Sequence, residues 1–209
     1  MFAEPHALGF DPTMALVCGP DGQRDYDITI RSQHGEDVVY RTCGVLFDAG
    51  SDHLVGRGTR VWKAARIDPS SGKVGSETVV LKDSWVDTPR EREGDILARI
   101  RRSASPKDKT ALDGFLLTVL EFGDVIIAGQ PDCTRVPPKN QDHPPEPQTG
   151  TKRRRAQAAK PERRHCQQVH HRIVYRELGT PLRDETSMVT VFNALADVCR
   201  GEYSMPRQA

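Results

Sequence analysis

Two strand-like runs, RVWKAARID at 60–68 and ETVVLKDSW at 77–85, flank a short stretch that begins with the turn word PSSGK at 69–73. A turn of that chemistry between β-branched runs signals a β-hairpin, and it commits this part of the chain to an antiparallel sheet. The second run also poses a problem. Lys82 follows Val79, Val80 and Leu81, where a buried ammonium is costly unless a carboxylate meets it. The next segment supplies one. Thr88 reads as an N-cap, Pro89 as the first helical position and Glu91 as the partner in a T-x-x-E capping box, which predicts a helix over residues 88–102. Arg99, Arg101 and Arg102 suit its C-terminal pole. On that helix Glu93, Ile96, Leu97 and Ile100 fall at i, i+3, i+4 and i+7, so Glu93 shares the apolar face that covers the sheet.

The rest of the chain extends the pattern. YDITI, DVVYR and TCGVLF read as further strands, FLLTVLEFGDVIIAGQ as a second strand-rich part, and HHRIVYREL as a last strand. SMVTVFNALADVCRG reads as a helix with Met188, Val191, Phe192 and Leu195 on one face and Gly201 as C-cap. Residues 135–165 differ in kind: six prolines and nine Lys or Arg against three acids give a local charge of +6, the composition of a disordered insert. The resulting division is an irregular arm over 1–25, a sheet-and-helix unit over 26–134, a basic insert over 135–168, a strand, connector and helix over 169–201, and a tail over 202–209.

Composition removes several classes. The chain has 36% apolar and 28% charged residues with a net charge of +1, so no global field draws it to nucleic acid or membrane. Five cysteines without a CxxC pair argue against a zinc site or a secreted disulfide framework and for an intracellular protein, cytoplasmic or nuclear. No signal peptide or membrane-spanning run is present in the sequence. Lys152–Arg155 fits a nuclear-import or weak nucleic-acid patch or, more plainly, a solvated charge run, and it lacks the interleaved aromatics of a single-strand binder. His165, His170 and His171 beside Cys166 match no zinc spacing. Trp62 and Trp85 read as core or sheet-face residues.

Upstream of Lys82, Gly56 and Gly58 in GRGTRVW permit a tight turn whose backbone N–H groups can approach phosphates. Alone, that turn is an ordinary hairpin turn, and Lys82 and Glu93 are a surface lysine and a helix-face acid. Their order, however, is a glycine turn between strands, a strand lysine, a helix glutamate and then a strand entering a Gly-containing connector. That order is the one found in the amino-terminal lobe of a protein kinase. The words FDPTM, YDITI, GRGTRVW, VVLKDSW, REREGDIL, FGDV, HRIVYRELGTPL and VFNALAD together resemble the fungal-type protein kinase family over most of residues 10–200, apart from the insert.

The resemblance implies an α+β fold: a twisted antiparallel sheet with one packed helix, a hinge and one further helix. It implies Gly56 and Gly58 over the ATP phosphates, Val61 and Val80 lining the adenine pocket, Lys82 on the α- and β-phosphates with Glu93 as its ion-pair partner, and a hinge at residues 173–180 that includes Glu177 and Leu178. The family's third loop glycine is missing, since Thr59-Arg60-Val61 closes the turn early, which weakens cover of the γ-phosphate. The family activity is transfer of the ATP γ-phosphate to Ser or Thr of proteins with Mg²⁺. The His-Arg-Asp and Asp-Phe-Gly words that supply the catalytic base and the metal-binding aspartate do not occur here. The expectation is therefore an ATP-binding portion, truncated before the catalytic loop and inert alone as a phosphotransferase. It is read either as part of a longer kinase or as a stand-alone pseudokinase lobe that binds nucleotide or a partner kinase, with a nuclear role through the insert as a third reading.

Overall fold

The computed structural model describes residues 10–19, 22–49, 57–134 and 166–204. Seven strands form one antiparallel sheet: β1 (Met14–Cys18), β2 (Arg24–Arg31), β3 (Asp37–Asp48), β4 (Arg60–Ile67), β5 (Val74–Asp87), β6 (Val119–Asp124) and, after the short pair β7 (Ile126–Ile127) and β8 (Gln130–Pro131), β9 (Gln168–Tyr175). The order across the sheet is β1-β2-β3-β4-β5-β9-β6. Helices α1 (Glu93–Ser103) and α2 (Pro106–Leu112) lie between β5 and β6, and α3 (Met188–Ser204) follows β9. The fold is thus α+β, with β4 and β5 pairing around the expected turn, Val61 opposite Lys82 and Lys63 opposite Val80.

Alternation along the strands separates two faces. Ile28, Ile30, Tyr40, Trp62, Leu81 and Val174 belong to one buried cluster. The sheet curls around that side until β6 meets β2, and the approach is so close that a Cβ on Gly123 would lie 2.2 Å from the Arg31 carbonyl oxygen. On the opposite face Phe122, Ile173 and Tyr175 pack with Val80, Val119 and Leu97 of α1. Helix α1 seats flush because residue 94 is glycine: a Cβ there would fall 2.4 Å from Phe122 Cδ1. Strand β9, between β5 and β6, is buried from Val169 to Tyr175.

Several expectations need correction. The Thr88 capping box does not form. Thr88 sends its amide and its hydroxyl, each at 2.8 Å, to the Gln167 carbonyl, and Glu91 accepts from Arg99. With both side chains engaged elsewhere, residues 88–90 turn off the end of β5, and α1 starts at Glu93 after an extended Arg92 without a side-chain cap. A side-chain N-cap does form at the unanticipated α2: Ser105 Oγ accepts from the Asp108 amide at 3.3 Å and donates to the Asp108 carboxylate at 2.6 Å, with Pro106 as the first helical residue. There are therefore three α-helices among the described residues, not one packed helix and one beyond the hinge. The expected irregular arm contains β1 and the start of β2. Residues 115–118 are not strand, and α3 runs through Gly201 to Ser204 rather than ending at a glycine cap. Of the expected insert over 135–168, Gln168 already belongs to β9, and of the expected tail over 202–209, residues 202–204 belong to α3; Gly56 and residues 135–165 and 205–209 lie outside the described residues.

Candidate functional site

The structure brings Lys82 and Glu93 together. Lys82 Nζ donates to Glu93 Oε2 at 2.5 Å, with the lysine side chain 30% and the glutamate 47% exposed. Lys82 shares its sheet face with Val61, directly opposite on β4, and with Val80, two residues back on β5; all three are half-buried. Glu93 is the first residue of α1, and its place is set by what holds the start of that helix. Arg92 donates to both carboxylate oxygens of Asp124 on β6, at 2.9 and 3.2 Å, while His171 Nδ1 lies 2.9 Å from the same carboxylate. Burial opposes ionisation of Asp124, but hydrogen bonds from His171 and Arg92 outweigh it and hold its pKa at about 2.

Burial likewise opposes the Glu93 carboxylate, and the Lys82 hydrogen bond overrides it, so the Glu93 pKa lies below its ordinary value. The Tyr175 hydroxyl is buried on the same face without a hydrogen bond of good geometry. Its pKa is pushed up, first by burial and then by the Glu93 carboxylate beside it. His171 Nε2 is also buried without a hydrogen bond. The remaining site residues are more dispersed. Gly58 sits between β3 and β4 at φ +47°, where a side chain would be strained. Glu177, just past β9, accepts from the Thr118 amide at 2.7 Å, tying the end of β9 to the segment before β6, and Leu178 is exposed.

A larger cluster escaped the sequence reading. Asp83, next to Lys82 but pointing to the other face, is fully buried and receives Arg172 Nε at 3.3 Å and Arg60 Nη2 at 3.4 Å. His170 Nε2 lies 2.6 Å from Asp83 Oδ1, and His170 Nδ1 lies 3.0 Å from Asp132 Oδ2. Arg172, fully buried, also donates to Thr13 Oγ1 at 2.6 Å, to the Thr29 carbonyl at 2.8 Å and to Asp11. Burial pushes the Asp83 pKa up, and the His170, Arg172 and Arg60 contacts reverse that, leaving it lowered. The available signal was register. Once β9 pairs with β5, Arg172 stands opposite Asp83 and His170 opposite Trp85, and His170 and His171, two of the histidines weighed against a metal, face carboxylates.

The residues present fit part of ATP. Two valines on one face can cover a purine ring, and a half-exposed ammonium held by a single carboxylate can pair with a phosphate. Among the described residues no group of three or more His, Cys, Asp or Glu is placed to hold a metal ion. Mg²⁺ therefore enters no step derived from these residues.

Fold and site together define an α+β protein in which an antiparallel sheet presents a strand lysine to the first glutamate of a packed helix. The chain belongs to the fungal protein kinase family, whose model, described as "Fungal protein kinase", matches residues 1–209. No curated protein and no solved structure matched the chain. Membership implies, in general terms, use of ATP and Mg²⁺ and action on a protein substrate.

Proposed function

We propose that these 209 residues are the nucleotide-binding lobe of a fungal-type protein kinase and bind ATP on the sheet face that carries Val61, Val80 and Lys82. The observation that carries the reading is the Lys82–Glu93 pair at 2.5 Å, in a chain whose family is that of protein kinases. Adenine lies against Val61 and Val80, Lys82 Nζ reaches the α- and β-phosphates, Glu93 orients Lys82, and Glu177 and Leu178 follow the strand that ends at the adenine edge. Gly56 and Gly58 belong to the phosphate turn. The family's chemistry is transfer of the γ-phosphate to Ser or Thr of a protein. The tripeptides His-Arg-Asp and Asp-Phe-Gly do not occur in these residues, so the lobe binds and positions ATP without itself transferring phosphate.

The test is thermal unfolding of the full chain with and without ATP. A ligand that binds only the folded state stabilises it by about 2.7 kcal/mol at a hundred times its Kd. The melting temperature should rise with ATP, and Lys82→Met should abolish the rise. No shift at millimolar ATP overturns the binding assignment. Phosphate transfer from ATP to casein by the purified chain, lost in Lys82→Met, overturns the non-catalytic one.

A second reading, a partner-binding module acting inside the cell, draws on α3. Met188 and Phe192 are each 63% exposed, and Leu195 and Val198 are also exposed, an apolar face of the kind that marks interaction surfaces. A protein partner, such as a partner kinase, covers it in this reading. All five cysteines are free thiols, in keeping with a reducing compartment. Among the described residues no helix is long and apolar enough to cross a membrane.

A further inference from the structure

Strand β5 does not end its work at Lys82. Three residues on, the Trp85 amide donates to the Arg57 carbonyl at 2.7 Å, and the indole packs against Gly58 so closely that a Cβ there would lie 3.3 Å from Trp85 Cδ1. The indole also stacks on the His170 ring, with centroids 4.7 Å apart and planes 12° from parallel. That imidazole is itself fixed, because each of its nitrogens faces a carboxylate, Asp83 at 2.6 Å and Asp132 at 3.0 Å, and the residue is 3% exposed. Asp83 in turn holds Arg60 at 3.4 Å, two residues beyond Gly58. Between them the Thr59 carbonyl accepts from the Ala49 amide at 3.0 Å and closes the neck of the turn.

We propose that Trp85 and His170 are positioning residues that hold the C-terminal limb of the glycine turn, residues 57–60, in a fixed place above β5; this inference rests on the nucleotide reading of the site. Arg57 is held by the Trp85 backbone, Gly58 by the indole and Arg60 by Asp83, so the limb is fixed at three points from one side. A limb held in place before the ligand arrives loses less conformational freedom when a phosphate binds against it. The benefit falls on ligands that carry phosphates, whereas adenosine, which leaves the turn untouched, gains nothing. The buried side of the sheet thereby sets the ligand preference of the open side. Neither residue touches the nucleotide.

The experiment uses the full chain and the variants Trp85→Ala, Trp85→Phe and His170→Gln, the last retaining an N–H for Asp83 while removing the ring. ATP and adenosine affinities are measured by calorimetry, and exchange of the Ala49 and Ile30 amides by NMR. Trp85→Ala should weaken ATP about tenfold while adenosine changes less than about twofold, and Trp85→Phe should recover most of the loss. The Ala49 amide, which reports the neck of the turn, should exchange about tenfold faster in Trp85→Ala, with Ile30 in the core unchanged. His170→Gln should show the same pattern more weakly, about threefold on ATP.

Equal losses for ATP and adenosine, or faster exchange at Ile30 as much as at Ala49, would mean a merely structural role and overturn the inference. Unchanged ATP affinity in Trp85→Ala would do the same while leaving the nucleotide site standing. If the wild-type chain binds neither ATP nor adenosine, the nucleotide reading itself fails, and the role assigned to Trp85 fails with it.

Discussion

Lys82 and Asp83 are neighbours in sequence and opposites in environment. Lys82 is 30% exposed and meets one carboxylate; Asp83 is fully buried and is bracketed by Arg60, His170 and Arg172. The period-2 alternation of a strand turns one residue to each side, and here it divides the labour. Charges on the curled side are satisfied many times over and lock β2, β5, β9 and the Asp11–Thr13 segment together. The pair on the helix side is left half in water, where a ligand phosphate can compete for the ammonium. Fold stability and direct contact with a ligand phosphate should therefore fall to two different, adjacent side chains.

The largest expected effect tests the buried side. Asp83→Ala removes the carboxylate shared by Arg172 and His170, leaving Asp11 as the acidic hydrogen-bond partner of Arg172 and Asp132 as that of His170, and removing one partner of a buried pair costs about 3–5 kcal/mol. Urea denaturation should place the variant near or beyond the limit of folding at room temperature. A loss under about 1 kcal/mol would put Asp83 on a par with a surface charge and break the comparison.

Acid comes next. Asp124 has a folded pKa of about 2, below its unfolded value. Such a group contributes stability that is fully present above the unfolded pKa of about 4 and is lost as pH falls through about 2. The Asp124 contribution is on the order of 2 kcal/mol, and Asp83, Asp11 and Glu93, also lowered, act in the same direction. Denaturation midpoints measured between pH 5 and 2 should fall steadily, and Asp124→Asn should flatten that fall. An unaltered slope in Asp124→Asn would mean that the Arg92 and His171 contacts do not hold the start of α1.

Gly94→Ala is a smaller, steric test of the helix side. The new methyl would overlap the buried Phe122 ring, and overpacking of this kind costs about 1–3 kcal/mol. Because Glu93 is the preceding residue, displacement of α1 should also weaken ATP binding. Combining Gly94→Ala with Phe122→Leu should restore part of both, and full tolerance of the single change would show that α1 does not seat flush on β6.

The two sides also differ in how far the sequence revealed them. The β4–β5 hairpin, the apolar stripe with Leu97 and the approach of Glu93 to Lys82 rest on local patterns, namely turn residues, helical spacing and chain neighbourhood. Asp83, His170 and Arg172 meet across as many as 89 residues, with the basic insert between them, and no local pattern reports a register between strands so far apart. Two similar helix-start words show the same limit at short range. Thr88-Pro89-Arg90-Glu91 and Ser105-Pro106-Lys107-Asp108 are equivalent words, yet the first is dismantled because the Gln167 carbonyl claims Thr88 and Arg99 claims Glu91. Only the second, facing no such competitor, starts its helix.

Lys82→Met should give the smallest change in stability and the largest change in binding. The pair it breaks is 30% and 47% exposed, and ion pairs so open to solvent contribute about 0–1 kcal/mol. Methionine keeps the length and apolar stem of lysine against Val61 and Val80 while removing the charge. The urea midpoint should therefore stay within that narrow range of wild type, and the ATP-induced rise in melting temperature should disappear. Glu93→Gln should act more weakly on ATP, because it loosens the orientation of Lys82 without removing the ammonium. If Lys82→Met instead destabilised the chain as much as Asp83→Ala, the helix-side pair would be a structural lock like the one behind it. Lys82 would then have no charge free to offer a nucleotide.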